Sequence, residues 1–192
     1  MTKPKTANPT FSISDADLAS ALAQIGAEID YQPLRSSALA RIMRETFHGS
    51  DASGAWDWRM AYDLMQAAAV QALLRGDNSE DDYSAAKLLA SRLLTETRRS
   101  EQQIRLQQFS TPLPFAAMAV RAAAIRKGET VLEPSAGTGA LAAFAARAGA
   151  TLLLNEIDPF RQSLLRAVFG GDVTGHDGEH IDDLLQTPVL PD

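Results

Sequence analysis

The segment that most constrains the fold of this chain runs from Val131 to Gly139 and reads Val-Leu-Glu-Pro-Ser-Ala-Gly-Thr-Gly. Apolar residues typical of a strand end in an acid, Glu133, and a tight loop with Gly137 and Gly139 leads into an alanine-rich run that favours a helix. A strand that enters a helix through such small residues leaves the first helical amides free, and a ligand can approach the backbone closely. We therefore predict a nucleotide-like ligand at this turn.

The acid at the mouth of the loop indicates which kind of ligand is expected. A dinucleotide places a pyrophosphate on the first turn of the helix, and the negative charge of Glu133 would repel it. S-adenosylmethionine carries a sulfonium and an ammonium group, which a carboxylate attracts. The lysine of a phosphate-binding loop does not follow Gly139. The residues favour S-adenosylmethionine over NAD or a nucleoside triphosphate.

Two further acids follow apolar runs at a regular spacing. Glu156 comes 23 residues after Glu133, and Asp177 comes 21 residues after Glu156. Each step is about one strand–loop–helix unit, so we predict an α/β fold with a parallel sheet and the three acids along one edge. An acid about 20 residues beyond a glycine loop commonly accepts ribose hydroxyls, which makes Glu156 the candidate for that role. Ile157 beside it is expected to cover an adenine face.

These segments resemble the class I S-adenosylmethionine-dependent methyltransferases, and within them the N6-adenine DNA methyltransferases. The resemblance covers roughly residues 107 to 192, and its segments occur in the order that some of those enzymes use. The matching segments are Gln108-Phe109-Ser110-Thr111-Pro112, Leu132-Glu133-Pro134-Ser135-Ala136-Gly137-Thr138-Gly139, Asn155-Glu156-Ile157-Asp158-Pro159 and Asp177-Gly178. The glycine loop combined with Glu-Ile-Asp-Pro and Phe-Ser-Thr-Pro is a fairly specific pattern.

The resemblance implies a Rossmann-like sheet and assigns a role to each segment. Thr111 would touch the carboxylate of the cofactor, the glycine loop would lie against its methionine end, and Asp177 would bind the adenine amino group. The predicted cofactor-binding residues are Thr111, Glu133, Pro134, Ser135, Gly137, Gly139, Glu156, Ile157 and Asp177.

One motif of the resembled family is missing from these 192 residues. Amino-methyltransferases of this kind carry an Asn/Asp/Ser-Pro-Pro-Tyr/Phe motif that holds the target amino group and stacks on a flipped-out base, and no such tetrapeptide occurs here. We therefore expect the cofactor-binding part of a longer protein, similar also to the methylase segment of methylase-helicase proteins. We expect no catalytic residue in this chain and no catalysis by the chain alone.

The charge distribution bears on the substrate. The net charge is -6, and residues 151 to 192 hold two basic against eight acidic side chains, whereas DNA-binding surfaces cluster Lys and Arg. The local basic cluster is interpreted as a solvated helix face: Arg92, Arg98, Arg99 and Arg105. DNA is expected to bind the full-length parent and to bind this chain weakly or not at all. An RNA or protein-glutamine substrate stays open, as does a non-catalytic interaction module on the same scaffold.

Composition excludes several kinds of chemistry. The chain has no cysteine, which excludes disulfides, thiolate nucleophiles and cysteine-ligated zinc. No apolar run reaches membrane-spanning length, so we expect no membrane contact and a cytoplasmic location. His176, Asp177, Glu179 and His180 fall within five residues, but a loop entering a short helix is a poor metal site, and none is predicted.

The first hundred residues predict helices. We expect a flexible tail over 1–12, an α-helical domain over 13–106 built as a bundle, and a partial S-adenosylmethionine-binding Rossmann-like domain over 107–192. Ser14 caps a first helix that Pro33 breaks; further helices are predicted over 34–47 and 55–75, and from Ser79 toward Leu106. Four large side chains of this region are interpreted as core rather than as a base-stacking platform: Trp56, Trp58, Tyr62 and Met65.

The second part of the chain predicts an incomplete sheet. Strands are expected over 131–133, 151–155 and 172–174, with helices from Ala140 and from Pro159 between them and a helix from Pro112 to about Lys127 in front. Three or four parallel strands leave one sheet edge exposed, and such edges pair with other chains. Self-association through that edge is therefore expected.

Overall fold

The computed structural model describes residues 13–77, 81–96 and 110–184 of the chain. Within these residues the protein is α/β, with eight α-helices and one sheet of three parallel strands. The helices are α1 Asp15–Tyr31, α2 Ser36–Thr46, α3 Trp58–Arg75, α4 Asp82–Arg92, α5 Leu113–Ala123, α6 Ala140–Arg147, α7 Pro159–Phe169 and α8 Ile181–Leu184. The strands are β1 Thr130–Glu133, β2 Thr151–Asn155 and β3 Val173–Thr174. None of the helices in these ranges is both long and apolar enough to cross a membrane.

Side-chain caps set where the helices begin. The Ser14 side chain accepts the Asp17 amide and starts α1, as the sequence predicts. Helix α3 begins at Trp58 rather than at Ala55, because the carboxylate of Asp57 accepts the Met60 amide at 2.7 Å. The predicted start of α4 near Ser79 lies outside the described residues, and the observed helix is capped by Asp81.

Two helices end earlier than predicted. Helix α4 stops at Arg92 because Leu93 is extended, with φ -84° and ψ 153°, and the Leu34 amide donates to the Arg92 carbonyl. The prediction that α4 continues was therefore wrong for residues 93–96, and residues 97–106 are not described. Helix α5 ends at Ala123, before the predicted Lys127, because Ala124 adopts a left-handed conformation with φ 53°.

The sheet has the strand order β1-β2-β3, and both pairings are parallel. In register, Glu133 lies beside Leu154 and Asn155 lies beside Thr174. The predicted α/β fold with a small parallel sheet is confirmed, and it is consistent with a partial Rossmann-like fold. Strand β1 begins one residue earlier than predicted and β3 one residue later.

The helices of the first hundred residues share a hydrophobic core with the helices of the sheet. One cluster of buried side chains contains Leu22 and Ile25 of α1 and Leu64 of α3 together with Phe144 of α6 and Leu164 of α7. A separate N-terminal bundle is therefore not confirmed, and the domain boundary at residue 107 stays a prediction.

The predicted burial of four large side chains is confirmed for three of them. Trp56, Tyr62 and Met65 are buried. Trp58 is half-buried, and its ring lies 5.6 Å from that of Trp56 and 5.7 Å from that of Tyr62. The four side chains pack on the helices instead of forming an exposed stacking surface.

Candidate functional site

Three acids lie at or shortly after the carboxyl ends of the three strands. Glu133 is the last residue of β1, Glu156 directly follows β2, and Asp177 lies three residues after β3. Because the strands are parallel neighbours, these positions fall at one edge of the sheet, where ligands of open α/β sheets bind. The topology brings the acids to the predicted edge.

The glycine loop between β1 and α6 is tied to the end of β2. The Ala136 amide donates to the Asn155 carbonyl at 2.9 Å, and the Gly137 amide donates to Oε2 of Glu156 at 2.8 Å. The second bond joins two of the predicted site residues directly, although they are 19 residues apart in the sequence. The loop and the acid therefore form one structural unit.

The two glycines of the loop are needed for different reasons. A Cβ added at Gly139 would lie 2.5 Å from Cε2 of Phe169, so the absence of a side chain there allows the phenyl ring to pack against the backbone. A Cβ at Gly137 would meet its nearest neighbour, Nη1 of Arg161, at 4.0 Å. Both residues have positive φ, 93° and 58°. Packing thus excludes a side chain at Gly139, whereas at Gly137 only the positive φ disfavours one.

Glu156 is buried and already holds two backbone amides. Only 5 % of it is exposed, and its Oε1 accepts the Asp158 amide at 2.8 Å while Oε2 accepts that of Gly137. Burial raises the pKa of Glu156, and these two hydrogen bonds together with the charge of Arg161 partly offset that shift. In this arrangement the carboxylate organises the loop, and each of its oxygens retains one further lone pair.

Glu133 is an acid without an ion-pair partner among the described residues. It is half-buried, and burial raises the pKa of its carboxyl group, partly offset by the nearby Ser135 amide. Across residues 13–77, 81–96 and 110–184, no Lys or Arg forms a salt bridge with it. A cation at this edge of the sheet would favour the charged form of Glu133.

Asn155, which was not among the predicted site residues, joins the loops after β1 and β3. It is 1 % exposed, and its Nδ2 donates to the Pro134 and His176 carbonyls, both at 2.9 Å. Its Oδ1 accepts the Thr174 hydroxyl at 2.7 Å and the His176 amide at 2.9 Å. A polar residue that ends an apolar strand was the sequence signal for this role.

The loop that carries Asp177 lies against the glycine loop. A Cβ added at Gly178 would sit 3.0 Å from the Pro134 carbonyl oxygen and 3.1 Å from Oγ of Ser135. Asp177 itself is exposed, and its carboxylate accepts the Glu179 amide at 3.1 Å at the start of a 3-10 turn. Of the predicted residues, Pro134, Ser135 and Asp177 are therefore close neighbours.

Ile157 and Thr111 occupy two different surroundings. Ile157 follows Glu156 and is 46 % exposed, so its apolar side chain is open to a ligand face. Thr111 is also exposed, but it lines a cavity of about 430 Å³ together with Thr138 and Ala140 of the glycine-loop region. The acids Glu133, Glu156 and Asp177 are not among the residues that line this cavity. Thr111 thus lies beside the glycine-loop region at a cavity that the three acids do not line.

Two buried ion pairs connect the site to α3. Arg59 forms a salt bridge with Asp158, whose carboxylate also caps α7, and Nη2 of Arg161 lies 2.7 Å from Oδ1 of Asp63. The side chains of Asp63, Asp158 and Arg161 are at most 4 % exposed, and that of Arg59 is 15 % exposed. This network was not predicted from the sequence, in which the i, i+4 spacing of Arg59 and Asp63 was a local sign of it.

The predicted basic cluster is only partly described. Nη1 of Arg92 donates to the carbonyls of Ile29 and Asp30 at the end of α1, a structural contact that differs from the predicted solvated helix face. Arg98, Arg99 and Arg105 lie outside the described residues. In the part of the chain that is described, no group of three or more His, Asp and Glu residues is placed to hold a metal ion.

Comparison of the chain with protein-family models, with curated proteins and with solved structures gave no match. The candidate site therefore rests on its own geometry.

Replacing Asn155 with Asp should destabilise the fold by at least about 2 kcal/mol, because two buried carbonyls lose their donors and face a carboxylate oxygen. Urea unfolding measures this change. Asp172→Asn, an exposed substitution just before β3, is the control and should change the free energy of unfolding by less than about 0.5 kcal/mol. Equal stability of Asn155→Asp and wild type would show that the amide does not hold the two loops.

Replacing Glu133 with Gln should stabilise the protein at neutral pH more than at acid pH. Because the folded pKa of Glu133 is raised, the ionised carboxylate lowers stability, and this cost is complete above the folded pKa and vanishes below the unfolded one. The difference in unfolding free energy between variant and wild type should therefore grow from about pH 4 to about pH 7. Glu45→Gln, at an exposed position of α2, is the control; a pH-independent difference for Glu133→Gln would contradict the prediction.

Proposed function

We propose that this chain binds S-adenosylmethionine as the cofactor-binding part of an N6-adenine-type DNA methyltransferase. The observation that carries the proposal is the arrangement at the carboxyl edge of the sheet. Three acids follow three neighbouring parallel strands, and the glycine loop between the first two is hydrogen-bonded to the second acid. Sequence motifs and topology thus favour the same ligand site.

Each site residue has a role in this proposal. Glu133 faces the cationic end of the ligand, Ile157 covers the adenine, and Asp177 accepts the adenine amino group. The ribose hydroxyls donate to Glu156, with one of them taking the place of the Gly137 amide at Oε2. This exchange requires the glycine loop to shift when the ligand binds, because Glu156 is buried in the structure.

Electrostatics supports a cationic ligand over a phosphorylated one. Glu133 and Glu156 both have raised pKa values because they are removed from water, so a positive charge nearby relieves an unfavourable state. The buried Arg161 does not supply a positive charge for a phosphate, because its guanidinium already binds the carboxylate of Asp63. A pyrophosphate at this loop would meet acids and no unpaired arginine among the residues named here.

The proposed substrate of the methyl group is an adenine of DNA, held by residues other than those described here. The net charge of -6 and the acidic character of residues 151–192 disfavour DNA contacts by these residues. An RNA or protein-glutamine substrate is compatible with the same cofactor site. No residue of this chain is proposed to be catalytic.

A second proposal is a non-catalytic interaction module on a methyltransferase-like scaffold. Two observations favour it. Both carboxylate oxygens of Glu156 accept hydrogen bonds from backbone amides, and the packing of Phe169 against the backbone is a sufficient reason for a glycine at position 139. In this alternative the glycine loop is a tight strand-to-helix turn that binds nothing. Ligand titration separates the two proposals.

Calorimetric titration of the chain should show binding of S-adenosylmethionine and none of NAD or ATP. Glu156→Ala should weaken that binding by about 1.5 to 3 kcal/mol, the range for a hydrogen bond that involves a charged group. Glu45→Gln is the control and should bind as the wild type does. Unchanged affinity in Glu156→Ala would remove that residue from the site, and absence of binding to the wild type would favour the scaffold alternative.

We also propose that the chain self-associates through its sheet. In the described residues β1 and β3 are the outer strands, and Leu132 and Leu153, neighbours in register, are only half-buried. Light scattering should show a mass that rises with concentration. A strictly monomeric species at high concentration would contradict this proposal.

A further inference from the structure

Arg59 of α3 reaches from the N-terminal helices to the loop that follows β2. Its Nη2 donates to Oδ2 of Asp158, and its side chain is 15 % exposed. Asp158 uses its other carboxylate oxygen, Oδ1, to accept the Phe160 and Arg161 amides at the start of α7, at 3.0 and 3.1 Å. One oxygen thus caps its own helix, and the other is held by a residue 99 positions earlier in the chain.

The backbone of Asp158 in turn holds Glu156. The Asp158 amide donates to Oε1 of Glu156 at 2.8 Å, and the Gly137 amide donates to Oε2 at 2.8 Å. In the proposed function a ribose hydroxyl takes the place of the Gly137 amide, so the bond from Asp158 is the contact that remains when the ligand enters. Arg59 therefore anchors the fixed side of the Glu156 carboxylate, whereas the glycine loop forms the side that is exchanged.

The charge of Arg59 also matters for the ionisation of Glu156. Burial is the main cause that raises the pKa of Glu156, and the negative charge of Asp158 adds to it. A guanidinium bound to Asp158 offsets that negative charge. It thereby allows two buried carboxylates to lie two residues apart in one loop.

The contacts of Arg59 with its own helix are incomplete. Among the described residues, its Nε and Oδ2 of Asp63 have no hydrogen-bond partner, although the two atoms lie 3.7 Å apart. Arg161 binds Asp63 instead, through Nε at 3.1 Å and Nη2 at 2.7 Å, so Asp63 stays paired when Arg59 is removed. Stability alone does not favour this arrangement, because buried polar atoms without a hydrogen bond cost free energy.

We propose that Arg59 is a positioning residue of the ligand site and that, through Asp158, it holds the Glu156 carboxylate in the orientation that receives the ribose hydroxyls. This inference rests on the proposed function. It makes α3 part of the cofactor site without any contact between α3 and the ligand. By thermodynamic reciprocity, a ligand held by Glu156 stabilises the contact between α3 and the loop after β2.

The test is a double-mutant cycle of calorimetric titrations of the full chain with S-adenosylmethionine. With Glu156 present, Arg59→Met should weaken binding by about three- to thirtyfold, as expected for residues coupled in one hydrogen-bond network. In the Glu156→Ala background the same substitution should weaken binding by less than about twofold, because the group that Arg59 positions is gone. Arg59→Lys keeps a cation beside Asp158 without the planar guanidinium, and it should bind with intermediate affinity. Arg41→Met, the same change at an exposed arginine of α2, is the control and should bind as the wild type does.

Amide hydrogen exchange gives a second readout that needs no ligand. Arg59→Met should speed exchange of the two amides that donate to Glu156, those of Gly137 and Asp158. The Thr151 amide, which donates to a main-chain carbonyl at the other end of β2, is the control and should exchange as in the wild type. A merely structural role of Arg59 would speed exchange at all three amides.

The outcomes separate this inference from the proposed function. If Arg59→Met binds S-adenosylmethionine as the wild type does, or loses the same factor in both backgrounds, the positioning role is overturned while the proposed function stands. Equal acceleration of exchange at all three amides, or none at Gly137 and Asp158, overturns it as well. If the wild type does not bind the ligand, the proposed function itself fails, and the inference fails with it. Where thermal unfolding shows that Arg59→Met does not fold, Arg59→Lys takes its place in the cycle.

Discussion

Two buried arginine–aspartate pairs hold the N-terminal helices to the sheet. They join Arg59 and Asp63 of α3 to Asp158 and Arg161 at the start of α7. Burial by itself would lower the pKa of Arg161, but the charge and hydrogen bonds of Asp63 reverse this shift and raise it, so the guanidinium stays charged. Removing one partner of such a pair typically costs about 3 to 5 kcal/mol, because it leaves a buried charge unpaired. The position of α3 is therefore fixed relative to the loop that carries Glu156.

The contacts between α3 and the start of α7 also position the residues of the candidate site. Asp158 is bound by Arg59, caps α7 and donates its own amide to Glu156, which in turn holds the Gly137 amide. A continuous path of contacts thus leads from α3 to the glycine loop. Asn155 fixes the same edge from inside the sheet by joining the loops after β1 and β3. Most of the polar groups described at this edge satisfy one another, whereas the half-buried Glu133 has no ion-pair partner among the described residues.

The elements that were predicted well are those with local causes. Ser14 accepts an amide three residues later, and β2 is an apolar run whose ends match the prediction. The predicted helix bounds were wrong where two local signals compete or where a contact with a distant residue sets the end of the helix. Asp57 caps α3 in place of an earlier start at Ala55. Helix α4 ends at Arg92, whose carbonyl accepts a hydrogen bond from the amide of Leu34, a residue far away in the sequence.

The sequence by itself determined that three acids share one edge of a parallel sheet, because their spacing repeats one strand–loop–helix unit and parallel strands all end on the same side. Only the tertiary structure decided that Glu156 is buried against Gly137 and that Asp63 pairs with Arg161 across 98 residues. The same holds for the cavity in which Gln66 meets Thr138, 72 residues away. No periodicity encodes such contacts; they exist because α1 and α3 bury their apolar faces against α6 and α7, and this packing places their polar residues at the site.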